Sequence, residues 1–248
     1  MTDIGALLRK LGRFAQLTGE EKQALAASAR QFRQCNAHED VVREGEPCTS
    51  IHMLLSGFAC CQKSLPDGRR QIIGFLLPGD MFDQRSLLQQ QLGHTISTLT
   101  PARIAVIARE TLLELTERYP RLTRALWWAA LLEESIAREW LLNLGQKTAI
   151  ERLAHLFCEL LLRLRAAGVA SGNSCELPLT QADLADACAL STVHINRTLQ
   201  ELRRQELISV RGKTLIVHNF ERLQLIAMFN ENYLCLRQPA TEPRVATT

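Results

Sequence analysis

Between Thr180 and Gln205 the apolar positions recur with a helical period, interrupted once at Ala189-Leu190. Thr180 followed by Asp183 has the spacing of a capping box, with Asp where Glu or Gln is usual, so Gln181 to Cys188 is predicted as a short helix. Ser191 is placed to cap a second helix, from Thr192 to about Gln205. On that helix Ile195, Leu199 and Leu202 share one face, which is predicted to pack inward. Val193, Asn196, Arg197 and Gln200 fall on another face, while Thr192 and His194 lie in the first turn. A short helix, a tight turn and a second helix with a polar outer stripe make a helix-turn-helix, whose second helix suits a major groove. Leu207-Ile208-Ser209-Val210 and Thr214-Leu215-Ile216-Val217, joined through Arg211-Gly212-Lys213, read as a two-stranded wing. The plainer alternative is a helical hairpin that merely packs; caps, stripe and basic wing together oppose it.

Upstream the period changes. From about Phe32 to Ala108 short apolar runs such as Ile51-His52-Met53-Leu54-Leu55 are separated by turn residues at Gly45, Gly57, Pro66-Asp67-Gly68 and Pro78-Gly79-Asp80. Phe58 to Leu65 and Arg69 to Leu77 form a hairpin about the Pro66-Asp67-Gly68 turn, and so many short strands suggest a jelly-roll-like barrel. From about Arg109 to Leu144 the pattern is helical, with Pro120 at a break or first turn. Leu122, Ala129, Ile136 and Asn143 recur every seven residues, with Ala125 and Leu132 between them, which predicts a coiled-coil-like seam. Trp127, Trp128 and Trp140 flank the seam and are expected to pack on the barrel. Gly145-Gln146 reads as a hinge before an apolar helix from Thr148 to Arg165, Ala166 to Ser174 as a loop, and Arg237 to Thr248 as a disordered tail.

Composition narrows the class. The 248 residues are 46% hydrophobic, enough for two modest cores. A net charge of +3 does not by itself indicate nucleic acid, but Arg197, Arg203, Arg204, Arg211 and Lys213 concentrate positive charge on the helix-turn-helix and wing. Glu201 and Glu206 keep the alternative of an ordinary solvated face open. No apolar run approaches a membrane span, and Arg9, Lys10 and Arg13 interrupt the N-terminal leucines where a signal peptide would be apolar; a cytoplasmic location is expected. The eight cysteines are scattered without a C-x-x-C pair, so no metal site is expected and free thiols are the default. No nucleophile–base pair or phosphate loop is legible, and no enzyme is expected.

The helix-turn-helix resembles that of the Crp/Fnr family of bacterial transcription regulators. The residues that carry the likeness are Leu179-Thr180-Gln181, Leu184-Ala185, Leu190-Ser191, Asn196-Arg197-Thr198-Leu199, Leu202, Leu207-Ile208 and Gly212-Lys213-Thr214. Val193 to Arg197 looks like the FixK-like branch, and a weaker resemblance extends over the chain from about residue 14. It implies an α+β architecture: an N-terminal helix and cyclic-nucleotide-binding-type β-roll (1–110), a dimerisation helix (111–146), a winged helix-turn-helix (147–236) and a tail (237–248). The seam Leu122, Ala125, Ala129, Leu132, Ile136 and Asn143 would then face a second copy, and RNA polymerase would be a further partner.

The resemblance also states where this chain departs. Members that bind cyclic AMP hold its ribose and phosphate with a Gly-Glu-Leu element and a downstream Arg-Ser/Ala pair. Here Asp83-Gln84-Arg85 stands in place of the first, and Leu92-Gly93-His94-Thr95 supplies no arginine for the second. A buried cyclic phosphate without a cation is costly, so cyclic AMP is disfavoured unless Ser86 to Gln91 folds back and Arg85 substitutes. The iron–sulfur cluster of Fnr-type sensors is not expected, because Met1 to Gln34 holds no cysteine. Haem is not expected either, since His38, His52 and His94 have no second ligand at readable spacing.

For DNA, the resemblance implies a roughly palindromic site. Arg197 is the candidate for guanine O6 and N7, Asn196 for adenine or a phosphate, and Val193, where relatives commonly carry Glu, for a thymine methyl. Thr180, Gln181, Ser191 and His194 are placed for phosphate oxygens near helix N-termini, with Lys213 at the wing tip; Thr192 and Gln200 complete the candidate face. Ala189 departs from the Gly common in this turn, so strain or a conformation that is not left-handed is expected there. Cys188, at the turn, is a candidate redox residue, with a buried apolar role as the alternative. Control through a small effector in the β-roll, or through abundance and thiol oxidation, both remain open. A different class of function is a ligand-binding module whose C-terminal domain docks a protein.

Overall fold

The computed structural model describes residues 4–47, 49–88 and 91–236, leaving aside the side chains of 85 and 86. The expected tail from 237, Cys48, and parts of the segment proposed to fold back around Arg85 lie outside these. Helices α1 (Gly5–Leu11) and α2 (Gly19–Ser28) precede eight strands: β1 (Gln31–Cys35), β2 (Asp40–Val42), β3 (Ser50–Ser56), β4 (Ala59–Ser64), β5 (Arg70–Leu76), β6 (Met81–Phe82), β7 (Thr95–Thr98) and β8 (Ala102–Ala108). They form two antiparallel four-stranded sheets, ordered β1-β8-β3-β6 and β2-β7-β4-β5, whose inner faces meet through Leu54, Ala59, Ile96 and Ile104. The β4–β5 hairpin pairs as expected, with Gly68 at φ +87 in the turn. Gly79 at φ +90 serves a close approach: a Cβ there would lie 2.7 Å from the Ala6 carbonyl carbon, so α1 packs on the Pro78-Gly79-Asp80 turn.

Helix α3 (Arg109–Arg118) ends at Tyr119, and Pro120 opens the 27-residue α4 (Pro120–Gln146). Helix α5 (Ala149–Ala167) starts at a Thr148/Glu151 capping box and ends at Gly168 in the left-handed conformation. Then follow β9 (Ser174–Glu176), α6 (Gln181–Cys188), α7 (Thr192–Arg204), β10 (Ile208–Arg211), β11 (Thr214–Val217) and α8 (Phe220–Ile226), with a short 3-10 turn at Glu231–Leu234. The wing has three strands, ordered β10-β11-β9, rather than the two expected. The strand β9 begins at the end of the stretch read as a loop. Cys175, buried against Leu215, carries its single inward position.

The seam on α4 corrects an expectation. Leu122, Ala125, Ala129, Leu132, Ile136 and Asn143 are all buried within their own chain. The first three join α1, β3 and α3, whereas Leu132 and Ile136 join a cluster that runs from Phe75 and Leu77 of the β-roll through α5 to the helix-turn-helix. Heptad spacing reports that a helix face is buried, not what buries it. Of the flanking tryptophans, Trp140 packs edge-on against Phe75 and Trp128 stacks on Phe14 after α1, but Trp127 is 68% exposed and does not touch the barrel core. Trp127 and Leu131, and further along the helix Leu141 and Leu142, are two outward apolar patches on one face, separated by the Glu134–Arg138 ion pair.

Candidate nucleic-acid interface

The two helices of the head are set by their caps. Thr180 Oγ1 accepts from the Asp183 backbone N–H at 3.1 Å, and the Asp183 carboxylate accepts from the Thr180 N–H at 2.9 Å. After Cys188, Ala189 adopts φ +51, ψ +50: the turn is left-handed although its residue carries a Cβ. Ser191 Oγ then accepts from the His194 N–H at 3.2 Å and starts α7. Ile195, Thr198, Leu199 and Leu202 are buried under α7, and the opposite face is solvated.

All ten sequence-predicted positions are exposed: Thr180, Gln181, Ser191, Thr192, Val193, His194, Asn196, Arg197, Gln200 and Lys213. Six of them, Gln181, Thr192, Val193, Asn196, Arg197 and Gln200, line one open concavity of about 400 Å³. Asn196 Nδ2 donates to Gln181 Oε1 at 3.4 Å, tying α7 to the start of α6. Thr180, Ser191 and His194 sit apart at the helix N-termini, and Lys213 at the wing tip. Arg204 is held by Glu201 at 2.7 Å, whereas Arg197 forms no ion pair among the described residues. A polar concavity with an uncommitted guanidinium in its floor can accept hydrogen-bond acceptors on a ligand edge.

Cys188 is buried at the end of α6, and burial pushes its thiol up to about 12, outweighing Arg152 nearby. Thiolate character is what makes a cysteine oxidisable, so this environment opposes the redox role and fits the apolar one.

Sequence reasoning missed the residues that hold the head in place. Arg70 of β5 reaches Asp186 at 2.7 Å and Asp183 at 3.1 Å, and the Gln71 amide donates to the Asp186 carbonyl. Asp183 therefore caps α6 with one oxygen and binds the β-roll with the other. Deeper in, Asp80 pairs with Lys10 and with Arg163, and Arg163 also pairs with Glu159. Burial works against the Asp80 charge, but Lys10 and Arg163 outweigh it and hold the carboxyl below its usual range. Apart from Glu159 and Arg163, one helical turn apart on α5, these pairs link residues 70 to 116 positions apart, so no local signal announces them.

In the β-roll, Asp83 takes a left-handed conformation at φ +63 with its side chain fully buried. Its Oδ2 lies 2.9 Å from His52 Nδ1, and His52 stacks on Phe82. His52 is thus engaged inside the roll, whereas His38 is an exposed turn residue.

A β-roll joined by a long helix to a winged helix-turn-helix is the architecture of a signal-controlled DNA-binding regulator. Residues 32–119 match the cyclic nucleotide-binding domain and residues 151–226 the Crp-like helix-turn-helix domain. The chain is 30% identical to the nitrogen fixation regulation protein FixK of Bradyrhizobium diazoefficiens, over 75% of this chain and 79% of FixK. It is 29% identical to the transcriptional activator protein FnrL of Cereibacter sphaeroides, over 82% and 83% of the two. The structure of FixK2 from Bradyrhizobium japonicum superposes with a TM-score of 0.72 at 26% identity, over 79% of this chain and 96% of that one. The chain belongs to the Crp/Fnr family of bacterial transcription regulators, and it is a DNA-binding regulator of that type. No helix among the described residues is long and apolar enough to cross a membrane.

Proposed function

We propose that the chain works in the cytoplasm as a homodimer that reads a two-half-site duplex with α7 in the major groove and acts through RNA polymerase. The observation that carries the reading is the concavity shared by Gln181, Thr192, Val193, Asn196, Arg197 and Gln200. Arg197 pairs with guanine O6 and N7, Asn196 with adenine or a phosphate, and Val193 with a thymine methyl. Thr180, Gln181, Ser191, His194 and Lys213 hold phosphate oxygens, which fix register without reading sequence. The partner copy packs on the outward patches of Trp127 with Leu131 and of Leu141 with Leu142, about the Glu134–Arg138 pair, because the inner seam is already covered. Two recognition helices then lie about 34 Å apart, on successive major grooves.

Cyclic AMP is not the effector in this reading, nor is haem or an iron–sulfur cluster a resident group. Asp83, buried and tied to His52, stands where the phosphate-binding element would begin, and it brings negative charge beside a negative ligand. Selection of bound duplexes from a random pool, repeated with Arg197→Ala, tests the proposal. The parent should enrich a palindromic site and the variant should lose preference at one base pair of each half. An unselective parent, or a variant with the same preference, would refute it.

A further inference from the structure

A second recess lies away from both the recognition helix and the β-roll interior. Arg13 and Phe14, just after α1, line it together with Trp128 of α4. Glu231, Asn232 and Leu236, in and after the last 3-10 turn, complete the lining, and Cys235 opens onto the same space. Its volume is about 360 Å³, within the range usual for small-molecule sites.

Among its described lining residues the recess presents one cation and one anion, Arg13 and Glu231. Nη1 of Arg13 is shut off from solvent with no hydrogen-bond partner. Burial disfavours the guanidinium charge, and no neighbouring carboxylate opposes that effect. An anion on the guanidinium edge that faces the recess relieves it. The Glu231 carboxylate has two acceptor oxygens and can take a further donor from the recess side. A lone anion would meet Glu231 and a lone cation would meet Arg13, so the two together select a molecule that carries both charges. The Phe14 and Trp128 rings lie 15° from parallel with centroids 5.4 Å apart, and Phe14 keeps 39% of its surface exposed. That is a flat apolar surface suited to a further ring.

We infer that this recess binds a free aromatic amino acid, its carboxylate on Arg13, its ammonium on Glu231 and its ring against Phe14 and Trp128. The site spans three parts of the chain. Phe14 follows α1, Trp128 belongs to α4, and the turn that carries Glu231 and Asn232 also carries Tyr233. The Tyr233 hydroxyl donates to Glu159 at 2.9 Å and lies 2.9 Å from His155 Nε2, both on α5 under the helix-turn-helix. An occupant therefore stiffens the junction between the N-terminal helices, α4 and the DNA-binding head. That effector role rests on the DNA-binding reading, but occupancy itself does not.

Calorimetry on the full chain with L-phenylalanine separates the two. L-phenylalanine should bind saturably, one per chain. 3-Phenylpropionate, which lacks the ammonium, and phenethylamine, which lacks the carboxylate, should each bind about tenfold more weakly or worse. Arg13→Gln should weaken L-phenylalanine while leaving phenethylamine as it was, and Glu231→Gln should weaken it while leaving 3-phenylpropionate no weaker. Each variant must keep the parent's melting temperature to count. A readout on the parent alone comes from Cys235, an exposed thiol on the same recess. Saturating L-phenylalanine should slow its alkylation by iodoacetamide, followed by mass spectrometry of the Cys235 peptide. No saturable heat with L-phenylalanine, equal affinity for 3-phenylpropionate, or unchanged alkylation of Cys235 overturns the proposal. Binding that appears only after residues 237–248 are removed also overturns it, since the chain's own terminus would then be the occupant. If L-phenylalanine binds as expected but leaves affinity for the selected duplex unchanged, the site stands and its role as effector falls.

Discussion

Helix α7 buries one narrow apolar face and leaves polar side chains in solvent, whereas α4 buries its whole regular seam and leaves large apolar side chains outside. The two outer faces call for different partners. Arg197, Asn196 and Gln200 gain from a surface rich in hydrogen-bond acceptors, and Trp127, Leu131 and Leu141 gain only from one that excludes water. A polar stripe over a packed face therefore marks a reading surface, and exposed apolar patches over a packed face mark an association surface.

The comparison breaks most sharply at α4. Ile136→Glu should cost about 3–5 kcal/mol of stability, because it buries an unpaired charge in the core shared with α5. Leu141→Glu, at a position 72% exposed, should leave a single chain's stability within about 0.5 kcal/mol yet convert dimer to monomer. Denaturant midpoints and sedimentation of both variants decide it; a well-folded monomer from Ile136→Glu would return the inner seam to the dimer. On α7 the largest effect belongs to Arg197→Ala, which should lose about 1–3 kcal/mol of discrimination at one base pair while sedimentation stays unchanged. Equal affinity for matched and mismatched duplexes in the parent would remove the contrast between the faces.

A titration sharpens the same contrast from inside. His155 lies in the interior behind α4, between the Lys147 ammonium at 3.0 Å and the Tyr233 hydroxyl at 2.9 Å. Burial first, and Lys147 second, push its imidazole down to about 3. A folded-state value below the unfolded one means the neutral ring is favoured. Its contribution is complete above about pH 6.5 and is lost as pH falls towards 3, at up to about 1.4 kcal/mol per pH unit. His155→Asn should flatten the stability profile over that window, and an unchanged slope would show that His155 is protonated in place. The smallest effect belongs to the turn between α6 and α7. Ala189→Gly relieves a left-handed Cβ and should stabilise the fold by up to about 1 kcal/mol without changing DNA affinity; chemical denaturation checks the first and a binding titration the second.

What was legible divides along the range of the forces. The caps Thr180/Asp183 and Ser191 and the Pro66-Asp67-Gly68 hairpin are local, and their residues announce them. The left-handed turn at Ala189 went against its residue type, because the two helices it joins fix its backbone. Strand β9 was unread because three residues carry too little alternation to show. The seam on α4 was visible as a buried face, but its partner was chosen by the β-roll and α5, which no spacing within α4 encodes. Of the DNA-reading face the residue set was legible; the brace from Arg70 and Gln71 was not, because it closes over more than a hundred residues.

Asp183 serves two masters, and that has a thermodynamic corollary. Its carboxylate nucleates α6 through Thr180 and simultaneously anchors α6 to Arg70 on β5. Two equilibria that share one group are linked, and linkage is reciprocal. A duplex that immobilises the N-terminus of α6 must stabilise β5 against opening by the same free energy with which an opened β5 weakens the grip on the duplex. Amide exchange along Arg70–Leu76 is thus a distant meter of promoter occupancy, readable on a strand that need never meet the nucleic acid.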